Sequence, residues 1–166
     1  MRINIEYHLE PLSENDVPNF VFYMKDKEIY DNTLTIPYPY TEDHARMFIK
    51  RHQNSDLDFA IRDSKKNLIG CIGALQSEKQ PHQASLGYWL AKPFWNKGIM
   101  TSTVKTFTDY LFDKIKLTRI TAQCFEHNIG SAKVLESAGF KLEGLTIKHY
   151  KKDGQFYNGK LYGKVL

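Results

Sequence analysis

The sequence predicts a mixed α/β fold, built as one domain over residues 1–166. Three observations carry that prediction. A chain of 166 residues has the length of a single domain and is long enough to bury a real core. Apolar residues recur along it with period two in some segments and with helical period in others. In the middle, a strand, a helix, a second strand and a second helix follow one another, and this order implies one parallel crossover.

The elements follow in order. Ile3, Ile5 and Tyr7 alternate with polar residues and predict a first strand. Ser13-Glu14-Asn15-Asp16 has the form of a helix cap, with Val17, Phe20, Val21 and Met24 at helical spacing behind it. Beyond the turn-rich Ile36-Pro37-Tyr38-Pro39-Tyr40, Thr41 caps a second helix whose inner face is Ala45, Phe48 and Ile49. Strands are predicted at Leu57 to Arg62 and Leu68 to Gln76, joined through Asp63 to Asn67, and again at Ala84 to Ala91. Ile99, Val104, Phe107, Leu111 and Ile115 form the apolar stripe of a helix opened by Gly98. Leu117 to Phe125 is the next strand, and Asn128 to Ala138 a short helix that Gly139 ends as a left-handed cap. Two closing strands, near Phe140 to Tyr150 and Phe156 to Val165, turn at Asp153-Gly154.

Composition excludes several function classes. Apolar residues at 42% and charged residues at 25% are the proportions of a globular chain, not a disordered one. Aromatic residues at 13% supply flat groups for a core or a pocket. A net charge of +4 favours acidic ligands but is too small and dispersed for nucleic acid. Lys148, Lys151, Lys152, Lys160 and Lys164 cluster near the end, as lysines do on a solvated strand edge. Cys71 and Cys124 lie in apolar strand-like runs and read as buried packing, with a disulfide left open. Met1 to Glu6 has no apolar signal core and no run reaches membrane-spanning length, so a cytoplasmic chain without membrane contact is expected. The histidines His8, His44, His52, His82 and His149 show no metal-ligand spacing, so no metal is expected.

The most informative stretch runs from Trp89 to Thr101. An apolar strand stops at Pro93, a short loop carries Asn96 and Gly98, and an amphipathic helix begins at once. Unpaired backbone amides and the helix dipole then point the same way, toward an anion, and Lys97 adds a positive charge. A phosphate-bearing ligand is the implied partner.

Two segments resemble the acetyl-CoA motifs of the GNAT acyltransferase superfamily: Leu90 to Thr101, and Asn128-Ile129-Gly130-Ser131-Ala132-Lys133 through Gly139-Phe140. Gly87-Tyr88-Trp89-Leu90, Thr35 to Thr41 and the Leu68 to Gly73 strand resemble its Rim-type branch, which contains ribosomal-protein N-terminal acetyltransferases. The resemblance runs from about residue 5 to the end, and its Asn-x-x-Ser…Gly-Phe part is the more specific. It implies a central mixed, mostly antiparallel sheet of about six or seven strands with a V-shaped splay, flanked by about four helices.

It also implies a chemistry: an N-acetyltransferase that uses acetyl-CoA (coenzyme A) as cosubstrate, with direct attack of a primary amine on the thioester in a ternary complex. Leu90, Ala91, Trp95, Asn96, Lys97, Gly98, Ile99, Met100 and Thr101, with Asn128, Ser131 and Lys133, would hold the cofactor. Amides near Leu90 and Ala91 would stabilise the oxyanion. Leu135 stands where many relatives carry an acidic Tyr, and Ser131 stands at the position that some Rim-type enzymes use instead, which implies Ser131 as the acid toward a thiol leaving group of pKa about 8.5. Ser85 stands where Rim-type enzymes often carry a Glu base, so it would act only by holding a water, with Glu126, His127 and Glu78 as other base candidates. Trp95, Asn96 and Met100 also depart from the usual Arg or Gln, Gly, and small residue; Asn tolerates a left-handed backbone.

Tyr38 and Tyr40, between the first helices, would line the acceptor pocket or pack over the sheet edge. The acceptor would be a ribosomal-protein N-terminus or a small-molecule amine, and the protein a monomer or homodimer. A non-catalytic CoA-binding sensor of the same fold is the alternative reading. A nucleotide site is disfavoured, because no Gly-x-x-x-x-Gly-Lys-Ser/Thr loop occurs and Gly70 and Gly73 lie within a strand.

Overall fold

A computed structural model describes all residues from 1 to 166. Its strands are β1 (His8–Glu10), β2 (Asp58–Arg62), β3 (Leu68–Gln76), β4 (Gln83–Leu90), β5 (Arg119–Phe125), β6 (Lys141–Lys152) and β7 (Gln155–Val165). Its helices are α1 (Val17–Met24), α2 (Lys27–Asp31), α3 (Glu42–His52), α4 (Ile99–Asp113) and α5 (Ile129–Ser137). All seven strands join one sheet in the order β1-β2-β3-β4-β5-β7-β6. Only β4 and β5 run parallel, joined by the α4 crossover; every other pair is antiparallel.

Alternation along the strands sorts the core onto two faces. One face packs Ile61, Ile72, Leu86 and Ile120 against Val104, Phe107 and Leu111 of α4 and Leu135 of α5. The other packs Ala60, Cys71 and Trp89 against Phe20 and Met24 of α1 and Ala45 and Ile49 of α3. Both cysteines are free and buried, and they belong to opposite faces. No helix is long and apolar enough to cross a membrane.

Most predicted elements form within a residue or two of their expected bounds, and two readings, the first strand and Lys152, need correction. The predicted first strand does not form at Ile3, Ile5 and Tyr7. The Asn4 side chain accepts from the amides of Glu6 and Tyr7 and turns the chain, leaving Ile5 80% exposed, and the strand starts only at His8. The helices number five, in keeping with the expectation of about four. The extra one, α2, spans only five residues and is nucleated by Asp26, whose side chain accepts from the Glu28 amide. Lys152 is not part of a solvated lysine edge. It is buried, with its ammonium donating to the carbonyls of Tyr30 and Thr33 and lying 3.5 Å from the Tyr30 ring centroid. The β6–β7 hairpin tip is thereby fastened to the α2 end, where Tyr30 also donates to Asp153 at 2.7 Å.

One buried ion pair ties the start of α1 to the sheet. Arg62 donates to both Asp16 oxygens, at 2.6 and 2.9 Å, and to the Pro11 carbonyl at 3.0 Å. Asp16 also accepts from the Ser13 amide at 2.8 Å, closing the predicted cap. Losing one partner of a buried pair costs about 3–5 kcal/mol, and the Glu10 carboxylate, 3.1 Å from Arg62 Nε, still pairs with Arg62 when Asp16 is removed, which places the loss at the lower end. Asp16→Ala is therefore expected to lower the unfolding free energy by about that amount in denaturant titration.

Burial pushes the phenols of Tyr40 and Tyr162 up to about 12, helped at Tyr162 by its bond to Glu136. An unfolded tyrosine titrates near about 10, so between about pH 10 and 12 the folded chain keeps protons that the unfolded chain has released. Stability attributable to these groups is intact below that window and declines as pH rises through it. The stability difference between wild type and Tyr40→Phe is expected to stay constant below about pH 10 and then move in favour of the variant up to about pH 12.

Candidate functional site

The site follows from how unequally β4 and β5 are bonded. β4 is paired with β3 as far as Leu90, and β5 with β7 as far as Phe125. With each other they pair only over Gln83–Leu86 and Arg119–Ala122. Beyond that point each strand follows its outer neighbour, and a cleft of ≈ 1330 Å³ opens through the splay. The Ala91 amide donates to the Ile69 carbonyl at 2.8 Å, so ladder alternation turns the amides of Leu90 and Tyr88 toward the side that β5 has left. Ala91 is thus spent on the sheet and does not line the cleft, whereas Leu90 does. The Leu90 carbonyl is taken by the Trp95 indole at 2.6 Å, which fixes the turn behind Pro93.

The turn then has the form its sequence predicts. Asn96 adopts φ +59° and Gly98 φ +72°, both left-handed. Gly98 is the N-cap of α4 and makes no side-chain cap bond, so no capping side chain accepts from the leading amides of Ile99, Met100 and Thr101. No acidic residue occupies the first turn. A Cβ at Gly98 would meet nothing within 4 Å, which leaves the approach to those amides open. Met100 is buried in the core, so its bulk is taken up by packing. Lys97 is exposed, its ammonium 5.7 Å from the Phe94 ring centroid. Trp95, Asn96, Lys97, Gly98, Ile99, Met100 and Thr101 all line the cleft.

Across the splay, Asn128 caps α5 by accepting from the Ser131 amide at 2.9 Å. The Ser131 hydroxyl lies 2.9 Å from the Tyr88 hydroxyl, which also donates to the Ser131 carbonyl at 3.3 Å. Burial holds the Tyr88 phenol well above its ordinary range, with the Ser131 contact opposing, so it stays protonated near neutrality. Burial likewise raises the Cys124 thiol beside Ser131. Lys133, exposed on α5, lines the same cleft. Tyr88 is a partner that the sequence reading missed: its alternation with Leu86 and Leu90 reads as core, and nothing local signals Ser131, 43 residues away.

The remaining candidates divide. Ser85 is exposed on the α1/α3 side of β4 and lines the cleft. Tyr40 lines it as well but is buried, stacked on Phe20 at 6.4 Å. Tyr38 does not line it; it packs against Tyr30 at 5.0 Å, 47% exposed. His127 lines the cleft while stacked on Phe125 at 5.1 Å. Glu126 lies outside it and accepts from Asn158 at 2.9 Å, and Glu78 is exposed on the β3–β4 loop, also outside it.

Comparison with known proteins bears on this geometry. Residues 7–141 match the family described as acetyltransferase (GNAT) domain. The "Probable N-acetyltransferase YjcK" of Bacillus subtilis is 42% identical over 92 residues, which cover 55% of this chain and 51% of that protein. The chain thus spans about half the length of this curated relative. Among solved structures, the microcin C7 self immunity acetyltransferase MccE in complex with acetyl-CoA and AMP superposes with TM-score 0.89 at 20% identity, over 100% of this chain and 96% of that one. RimL, a ribosomal L7/L12 alpha-N-protein acetyltransferase in complex with coenzyme A, gives 0.88 at 18% identity, over 99% and 97%. At such identities the two structures establish a shared fold. With 135 consecutive residues matched to the family and the fold shared end to end, this chain belongs to the GNAT acetyltransferase family.

Proposed function

We propose that residues 1–166 act as one acetyl-CoA-dependent N-acetyltransferase domain, which passes an acetyl group to a primary amine by direct attack in a ternary complex. The observation that carries this reading is the splay: the open edge of β4 leads straight to the uncapped amides at the start of α4. An extended pantetheine arm fits beside such an edge as an added strand does, and its pyrophosphate fits the amide turn. Acetyl-CoA supplies an electrophilic thioester carbonyl and a thiol leaving group of pKa about 8.5.

The chain's own groups have distinct tasks in this reading. Amides of Ile99, Met100 and Thr101, with Lys97 beside them, receive the pyrophosphate. The Leu90 amide, aimed into the splay, stabilises the oxyanion; the Ala91 amide does not, because Ile69 holds it. Asn128 fixes the start of α5 so that the Ser131 hydroxyl, held by Tyr88, hydrogen-bonds the departing sulfur. Ser85 orders water on the acceptor side of β4, and Tyr40 contributes a packed wall there. Lys133 adds positive charge at the cleft wall.

The acceptor we favour is an α-amino group, as on a protein N-terminus, with small-molecule amines as the other class. An α-amino group of pKa about 7.7–8.0 needs the least help to lose its proton, and RimL is by its description an alpha-N-protein acetyltransferase.

Calorimetry with coenzyme A and a thiol-release assay over N-terminal peptides, polyamines and aminoglycosides test the reading together. Coenzyme A binding with turnover of at least one amine is the expected result. Ser131→Ala is expected to slow that turnover by about 10²-fold, the lower end of general-acid effects, while coenzyme A still binds. Binding without turnover of any amine would identify a coenzyme-binding sensor instead, and absence of binding would end the assignment.

A further inference from the structure

Of the base candidates read from the sequence, Ser85 cannot accept a proton near neutrality, Glu126 lies outside the cleft and is bonded to Asn158, Glu78 lies outside it, and His127 lines it exposed, with one ring face on Phe125. The wall of the same cleft nevertheless carries a histidine–carboxylate pair 6 residues apart. His52, at the end of α3, places Nδ1 3.0 Å from Oδ2 of Asp58, the first residue of β2. Both side chains line the cleft and retain 26% and 20% of their exposure. The Phe48 ring lies 4.5 Å from the imidazole at an interplanar angle of 30°, which limits the ring's rotation.

Register places this pair on the acceptor side. Asp58 is opposite Gly73 on β3, and Gly73 is opposite Gly87 on β4. All three share the sheet face that packs on α1 and α3, because each is an even number of residues from Ala60, Cys71 or Trp89. Ser85 lies two residues along on the same face. The two glycines clear a path between the pair and the splay. A Cβ at Gly73 would collide with the Asp58 carboxylate, which leans across it, and a Cβ at Gly87 would meet nothing within 4 Å. Strands are about 4.8 Å apart, so a carboxylate lying over β3 is about one strand spacing from the open edge of β4.

We propose that His52, oriented by Asp58, is the general base that deprotonates the acceptor amine, which reaches the thioester across the floor formed by Gly73 and Gly87. This rests on the acetyltransferase reading, since it requires an amine to act on. A carboxylate only accepts hydrogen bonds, so Nδ1 carries the hydrogen and Nε2 keeps the lone pair that can take up a proton. Nε2 takes one proton from the ammonium form of the acceptor, directly or through one water. The freed amine forms the C–N bond at the thioester carbonyl, the C–S bond breaks, and the second nitrogen proton passes to the thiolate. The products are the amide and coenzyme A thiol, and His52 returns its proton to solvent.

The test uses the full chain and the amine that the wild type turns over fastest in the panel. His52→Gln is expected to lower kcat/KM by about 10²-fold or more, with the calorimetric affinity for coenzyme A unchanged. Added imidazole is expected to restore part of the rate to His52→Ala, a response that a packing role would not produce. Asp58 is a positioning residue, and Asp58→Asn is expected to reduce kcat while leaving the acceptor KM unaltered. Wild-type kcat/KM in His52→Gln, or a loss that imidazole leaves untouched in His52→Ala, would make the pair a helix-end contact and overturn the proposal. Coenzyme A binding without turnover of any amine would overturn it too, whereas failure to bind coenzyme A would strike the acetyltransferase reading itself.

Discussion

The splay between β4 and β5 is the constraint on which the rest of this molecule depends. A parallel pair is somewhat weaker per residue than an antiparallel one, and here it is the only parallel pair in the sheet. Each of its strands has a stronger outer partner, β3 or β7, and these partners carry β4 and β5 apart after Leu86 and Ala122. Polar backbone on the inner edges would be costly if sealed dry. The chain meets this in two ways: the Trp95 indole satisfies the Leu90 carbonyl, and the remaining amides face an open cleft. Two core clusters, one on each sheet face, hold the opening rigid from both sides.

The part of the molecule that carries α1, α2 and α3 is held by polar contacts as well as by packing. Arg62 and Asp16 clamp the start of α1 to β2, and the Lys152 ammonium caps the carbonyls that end α2. Lysine buried in this way has its pKa lowered by desolvation, with the nearby Asp153 and Asp31 carboxylates opposing. Through these contacts α2 and the loop behind it are tied to the tip of β6–β7, and Asn128 reaches the same loop at the Asn32 carbonyl, 3.4 Å away. The loop behind α2 is thus fixed by residues of the second half of the chain. The two halves of the chain are therefore not independent modules.

Much of the fold was legible because local rules act at short range. Helical spacing from Ile99 to Leu111, the Asn128 and Thr41 caps, the helix start at Gly98 and the left-handed Gly139 each need only neighbours within a turn, and all form as read. The β4–α4–β5 crossover followed from element order. Local reading failed where a short-range competitor won: Asn4 bends the chain under an alternating pattern that otherwise suits a strand. It also failed at α2, which is too short to show a period.

The sequence by itself thus determined the elements, their caps, the amide turn from Trp95 to Thr101 and the family resemblance these carry. Tertiary structure alone decided which groups meet. Tyr88 reaches Ser131 across 43 residues, Asp58 leans over Gly73 toward Gly87, Tyr38 turns away to Tyr30, and the Ala91 amide is consumed by Ile69. The reason is physical. Spacing along a chain fixes periodicity and capping, but strand register and the direction of each amide are set by pairing with residues far away, and a one-residue slip would invert every face.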